Sequence, residues 1–389
     1  MTITITEKVN HLKANYLLDH LTFDEYYKTY MGTKKDAKIQ YKIVLEYLEG
    51  KCQDVPTISE YGFTKNRKDG RLYGREGKTL QSCSRNIRGF LCKDISTDID
   101  IKNAHPVILN QLCKDNEILC PYLNKYCNER DECLSILMRD LNMTREEAKR
   151  KILISTNENR YLNTKCEFLK NYDKEIKLIQ KKFLEINDFN YIKDYAKKES
   201  NFEGSFINHI LCIHENQILT QMRNFCDINE IKIQALMFDG MMVYDDISRD
   251  TINKMEKYIH KYTEFEKLEL TIKEHETTFT LPSSYKPKPR IEYEDVKRQF
   301  ELQNCKVDKH FYRDIHGIKT CYSKAEFSIL HEELKYYDPI KKIVNFFMPE
   351  WFADADKKKY DRAESYPNQK DKKLCPEWCY NLWNNYVVE

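Results

Sequence analysis

The sequence predicts an α+β protein, an antiparallel sheet with a long helical block set between its strands. Three observations carry that expectation. Residues 95–101 alternate Ile95, Thr97, Ile99 and Ile101 with Ser96, Asp98 and Asp100, the period of two of a strand with one apolar face. Residues 230–238 and 241–246 are apolar runs joined by Asp239-Gly240, the pair that best tolerates positive φ at both turn positions of a hairpin. Between these pieces, 107–200 reads as mostly helical and 205–228 as one further helix.

The elements follow in chain order. Within residues 1–60, HLKANYLLDHL and IQYKIVLEYLEG read as short helices with apolar residues at i, i+3 and i+4. Residues 61–93 read as a basic, loop-rich segment, with nine Lys and Arg against two acids and glycines at 70, 74 and 77. In the strand at 95–101 the apolar set faces a core, and Asp98 and Asp100 face the other side. Farther on, Thr144-x-x-Glu147 has the form of a capping box, so a helix should begin near Arg145. Arg145 and Lys149, at i and i+4, share a face of it. A positive charge in the first turn opposes the macrodipole, a small cost unless Arg145 serves an anion. PSSYKPKPR, 282–290, reads as a linker with three prolines, and 291–389 as a separate aromatic-rich piece.

Bulk properties narrow the class. The 389 residues can bury a sizeable core, and 64 Lys and Arg nearly cancel 62 Asp and Glu. Any polyanion is therefore held by a local patch, of which 61–93 is the candidate. The fourteen cysteines form no CxxC pair. Cys113, Cys120, Cys127 and Cys133 fall at spacings near a helical heptad, which reads as thiols buried on helix faces in a reducing compartment. The N-terminus has no apolar signal region, and no stretch approaches the roughly 18–20 apolar residues of a membrane span.

Asp100 and Asp239 are the residues that point to chemistry. Each offers a carboxylate at a strand or hairpin position, with the helical block between them. Two strand-borne carboxylates converging on one spot can hold Mg2+ and leave coordination positions for water and substrate phosphates. A pair of such ions activates a hydroxyl nucleophile and stabilises a leaving pyrophosphate.

Taken in order, GRLYGREGKTLQSCSRNIRGFLCKDISTDIDIKNAHPVIL, TREEAK and FDG resemble the motifs of family A DNA polymerases. The resemblance is closer to the transposon- and virus-encoded polymerases related to family A and to single-subunit phage RNA polymerases, in which a motif like Asp-x-x-Asn-x-His-Pro and a Phe- or His-Asp-Gly hairpin recur. It covers about residues 65–250. It implies a family A-like right hand: an antiparallel palm sheet, helical fingers, and a division into 1–64 (helical, thumb-like), 65–110 (first part of the palm), 111–200 (fingers), 201–282 (second part of the palm), 283–292 (linker) and 293–389 (a small C-terminal α+β module).

The resemblance also implies roles. Asp100 and Asp239 would bind two Mg2+ or Mn2+ ions, with the Ile101 backbone carbonyl as a third ligand and Asp98 as a flanking acid. Arg145 and Lys149 would hold the triphosphate of a nucleoside triphosphate. Leu153 and Asn157 occupy the positions of the fingers helix's usual aromatics. His105 falls where family A carries a Glu against the incoming sugar, and Phe238 stands in place of the hairpin His. Arg71, Gln81, Arg85 and Arg88 would lie along a DNA primer–template or single-stranded template, where phosphate contacts give affinity without sequence preference. Asn208 matches loosely a polar position before the hairpin. The departures touch the pocket that separates deoxyribose from ribose, so sugar preference stays open, and a relaxed pocket would suit a primase. Too few residues precede the basic segment for a proofreading exonuclease and a full-length thumb.

FFMPEWFADADKKKYDRAESYPNQKDKKLCPEWCYNLWNN resembles the segment that precedes superfamily 3 helicase domains, yet no P-loop GxxxxGK[ST] occurs in the 389 residues. A helicase domain in the same longer chain is the implied partner. Trp351, Trp378 and Trp383 read as core residues or as stacking platforms for single-stranded bases, and His310 and His316 offer no convincing metal set. The function expected is a template-directed nucleotidyltransferase, a DNA polymerase with or without priming, for replication of a viral or mobile-element genome in the cytoplasm or nucleus of a host cell. The alternative is a non-catalytic DNA-binding and docking module in front of a replicative helicase.

Overall fold

A computed structural model describes residues 2–30, 33–64, 67–196, 199–244, 246–287, 312–315 and 318–321. Strand β1 (Thr2–Glu7) is followed by helices α1 (His11–His20), α2 (Phe23–Thr29) and α3 (Lys34–Glu49), then by β2 (Thr57–Gly62) and the two-residue β3 (Tyr73–Gly74). Next come α4 (Arg85–Cys92), β4 (Thr97–Ile101), α5 (Ala104–Asp115), α6 (Pro121–Asn128), α7 (Arg130–Leu141), α8 (Arg145–Asn157), α9 (Glu167–Leu184) and α10 (Phe202–Ile228). The hairpin β5 (Ile233–Leu236) and β6 (Gly240–Val243), helix α11 (Arg249–Tyr262) and β7 (Leu270–Lys273) follow, and β8 (Tyr312–Ile315) pairs with β9 (Ile318–Cys321). The protein is α+β, and the pairings β2–β3, β4–β6, β4–β7, β5–β6 and β8–β9 are antiparallel.

Contacts divide the chain into two units, Met1–Glu7 with Ile58–Thr277, and Lys8–Thr57 with Thr278–Glu389. In the second unit α1 starts on the Asn10 side chain, which accepts from the Lys13 amide, and α2 on a Thr22–Glu25 capping box. Asn15, buried in α1, donates to the carbonyls of His11 and Cys52, and Tyr285 donates to Asp19 at 2.6 Å. Past residue 287 only β8 and β9 are described. Most of the expected C-terminal module, with Trp351, Trp378, Trp383, His310 and His316, lies outside the described residues.

The first unit holds a four-stranded sheet in the order β5-β6-β4-β7. Its central strand, β4, has Ile99 and Ile101 in the core, as the alternation predicts. Asp100 pairs with Gly240 across one edge, and Asp98 with Lys273 across the other. The expected hairpin forms, but not by the expected turn chemistry. Neither Asp239 nor Gly240 has positive φ, and the Met237 amide donates to the Gly240 carbonyl at 2.9 Å around a Phe238-Asp239 loop. Glycine is needed at 240 for close approach: a Cβ there would meet the Ile99 carbonyl oxygen at 2.2 Å and the Asp100 Cα at 2.9 Å. Gly240→Ala is therefore expected to destabilise the unit at or beyond the upper end of the about 1–3 kcal/mol of an overpacked core. A thermal melt unchanged by this variant would contradict the strand pairing.

Helices α5–α10 pack into one core with the sheet, through residues such as Leu109, Leu134, Ile152, Tyr172, Phe206 and Ile210. α8 starts where predicted, on a Thr144–Glu147 capping box. Its C-terminal carbonyls, which a helix leaves without partners, take buried side-chain donors from α9. Lys177 donates to the Ser155 carbonyl at 2.6 Å, and Gln180 to those of Thr156 and Glu158 at 2.9 and 3.1 Å. Asp173 neutralises Lys177 at 2.9 Å and accepts from the Ser155 hydroxyl and the Leu162 amide.

Several expectations change. The loop-rich reading of 61–93 missed α4, which begins on a Ser84 cap and buries Ile87, Phe90 and Leu91. The reading of 1–60 missed β1, although TITITE alternates and buries Ile3 and Ile5. Of the four near-heptad cysteines expected to be buried on helix faces, Cys113 of α5 and Cys133 of α7 are buried, whereas Cys127 of α6 and Cys120 at the N-cap position of α6 are half-buried; all are free thiols.

Candidate functional site

β4 carries Asp98 and Asp100 on the face opposite its core residues. Asp100 is only 7% exposed, and its carboxylate is met by the Lys273 ammonium from β7. Asp239 arrives from the hairpin loop, and the Ile101 amide donates to its carbonyl at 2.8 Å, which fastens that loop to the end of β4. Burial, and after it the neighbouring charge of Asp239, push the Asp100 carboxyl up to about 7 against the pull of Lys273. Asp98 is raised as well, by burial first, with Arg88, Lys273 and His275 opposing.

That shift has a consequence for stability. A carboxyl with a raised folded-state value contributes most below its ordinary value of 3.8, and the contribution is lost as pH rises through about 7. In chelator, Asp100→Asn should therefore gain melting temperature relative to the wild type between pH 5 and pH 8.5. A difference that stays constant with pH would contradict the burial of this carboxylate.

Beside the hairpin lies a second polar cluster. Arg71 forks onto Glu215 of α10, with its Nε 2.6 Å from Oε2 and its Nη2 3.0 Å from Oε1. The same Nη2 is 3.2 Å from Nε2 of His105, which is 3.6 Å from Glu215. Burial works to raise Glu215, but its bonds to His105 and Arg71 outweigh this and hold it below the ordinary range. The Arg71 guanidinium also sits 4.8 Å over the Phe238 ring, which meets Tyr73 edge-on at 5.3 Å. Phe238 of the hairpin thus rests on a guanidinium that Glu215 fixes.

His105, Cys212 and Glu215 lie close enough to be considered as metal ligands. They do not fit Mg2+ or Mn2+, since the donor set is mixed and soft and the Glu215 carboxylate is already held by Arg71. The hard-oxygen pair Asp100 and Asp239 does fit: like charges crowd together there, and a cation, the Lys273 ammonium, already sits on Asp100.

The remaining sequence-predicted residues divide. On α8, Ala148, Ile152, Ser155 and Thr156 face the core, leaving Arg145, Lys149 and Leu153 as a stripe at i, i+4 and i+8. Arg145 pairs with Asp131, Lys149 with Glu146 at 2.6 Å, and Leu153 is exposed. Lys149 first, and more weakly Arg85, hold Glu146 below the ordinary range. Arg145 lines a cavity of ≈ 810 Å³ with Lys102 and Asn103, the residues just after β4. Asn103 is left-handed at φ 57°, and its buried Nδ2 finds no partner among the described residues. Arg88 donates to the Cys83 carbonyl at 2.7 Å and faces Asp98.

Gln81, Arg85 and Asn208 are engaged within the protein. Gln81 uses its amide on backbone, accepting from Gly74 and donating to Leu72 and Leu236, so it ties β3 to the hairpin. Arg85 pairs with Glu276 at 3.2 Å, both exposed. Asn208 donates to Asn157 at 3.0 Å at the end of α8. Sequence reasoning missed Glu215 and Lys273. A signal for the first existed: Leu211, Glu215, Ile218 and Met222 share one apolar stripe of α10, where an acid needs a buried partner. Lys273 had no comparable signal.

No family model matches the chain. A stretch of 229 residues is 30% identical to "Putative helicase V13" of Sputnik virophage, covering 55% of this chain and 29% of that protein. The chain thus spans less than a third of this relative's length. Among solved structures, the chain has a distant likeness to the POL domain of Pol1 from M. smegmatis in complex with DNA primer-template and dNTP, at 9% identity and a TM-score of 0.35, over 62% of this chain and 52% of that one.

Proposed function

We propose that the chain is a template-directed nucleotidyltransferase, a DNA polymerase or primase-polymerase that replicates a viral or mobile-element genome. The observation that supports this best is that Asp239, fastened by its carbonyl to the Ile101 amide, acts with its charge on the buried Asp100, so that two carboxylates from distant parts of the chain come to one end of β4. In this reading Asp100, Asp239 and the Ile101 carbonyl hold divalent ions, and Asp98 flanks them. Ions bound there supply charge stabilisation to the attacking and leaving oxygens of phosphoryl transfer.

The chain's own groups supply positioning. Arg145 and Lys149 exchange their acidic partners for the triphosphate, an exchange that favours the anion carrying more charge. The unpartnered Asn103 amide is available to the same phosphates. Leu153, exposed on the same stripe, lies under the base. His105, held between Arg71 and Glu215, bounds the sugar side of the pocket. Arg88 and Arg85 follow the backbone of the primer–template, and Arg71 supports the hairpin. The palm, fingers and thumb-like divisions are those of the right-hand resemblance, and the partial similarity to a putative helicase supports a place beside a helicase domain in a longer chain.

The test is incorporation of labelled dNTP and NTP on a single-stranded template, with and without primer, in Mg2+ or Mn2+. Metal-dependent, template-directed extension is expected. DNA binding without incorporation under either metal would contradict the proposal and favour a docking module.

A further inference from the structure

Lys273 is the part of the site that no motif accounts for. It ends β7, directly across from Asp98 in the ladder, and its ammonium reaches along the face to Asp100. No other lysine among the described residues forms an ion pair with this carboxylate. The side chain is 37% exposed, on a carboxylate whose own side chain is 10% exposed. A strand-borne ammonium on the carboxylate that would also take a divalent ion competes with that ion for the same oxygens. It also neutralises crowded acids that would otherwise repel one another, since Asp98, Asp100 and Asp239 all face this spot.

We infer that Lys273 is the resident counter-cation of the acidic site: its ammonium holds Asp100 in place against Asp239 and yields that carboxylate when a divalent ion binds. The inference rests on the proposed two-carboxylate site and adds a positioning residue to it. Lys273 sets how much divalent ion is needed to fill the site, and the displaced ammonium remains on β7 next to Asp98.

The test is Mn2+ binding to the full chain, followed by the loss of the free-ion signal in electron paramagnetic resonance, without nucleotide or DNA. Lys273→Met should tighten binding by on the order of tenfold, because the competing charge is gone. Lys273→Arg, which keeps the charge, should stay near the wild type. Lys254→Met, which breaks an exposed pair with Asp250 on α11, should leave binding unchanged. A second readout needs no variant: acylation of Lys273 by an amine reagent, mapped by mass spectrometry, should rise when Mn2+ is added. Mn2+ binding by the wild type with no tightening in Lys273→Met would overturn the inference alone, as would unchanged acylation. Absence of Mn2+ binding in both proteins would overturn the two-carboxylate site as well.

Discussion

Asp100→Ala and Asp239→Ala should each lower nucleotide incorporation by on the order of a thousandfold, with little loss of template binding. The magnitude follows from the several kcal/mol of charge stabilisation that a bound divalent ion supplies, at tenfold for every 1.4 kcal/mol. Both carboxylates are required because neither holds an ion well alone: Asp100 is buried and raised, and Asp239 sits half-buried on a loop tied to β4 by one backbone bond. Binding should survive, because the basic groups that would meet the phosphate backbone, Arg85 and Arg88, belong to α4 and not to the acidic pair. Incorporation within threefold of the wild type in either variant would contradict the assignment. Loss of template binding in parallel with activity would indicate a folding defect, which circular dichroism separates.

The largest stability effect is expected at Lys177→Met. This side chain is 3% exposed and holds both Asp173 and the Ser155 carbonyl at the end of α8. Removing one partner of a buried pair leaves the other charge uncompensated and costs about 3–5 kcal/mol. For a unit of this size that corresponds to a fall in Tm of roughly 10 °C. The double variant Asp173→Leu with Lys177→Met should lose less than the sum of the single losses, because no unpaired charge remains. Additive losses would show that the two side chains act independently, against the geometry.

Much of the fold was legible because it rests on periodicity and local chemistry. The alternation in 95–101 marks β4, and Thr144-x-x-Glu147 fixes the start of α8 at Arg145. The hairpin was found for a partly wrong reason: Asp-Gly reads as a turn with positive φ, whereas Gly240 is needed for the close approach of β4. α4 was hidden by the glycines and charges around it, since a short helix of this kind is stabilised by its buried face and not by local propensity.

The site was less legible. Asp100 and Asp239 stand out as two strand-borne carboxylates, but no local rule joins positions so far apart in the chain, and their metal-binding roles are what the motif resemblance implies. Glu215, Lys273 and the backbone employment of Gln81 depend on which neighbours the fold brings within reach. Side-chain partners across a sheet or between helices are set by packing, and sequence spacing does not encode them.

The most direct test of the central claim is a crystal structure of the chain with a primer–template, a non-hydrolysable nucleotide and Mn2+, with data collected at the manganese edge. Two anomalous peaks between the Asp100 and Asp239 carboxylates, with the triphosphate running toward Arg145, are predicted. No peak at that pair, or manganese bound instead at His105, Cys212 and Glu215, would contradict it.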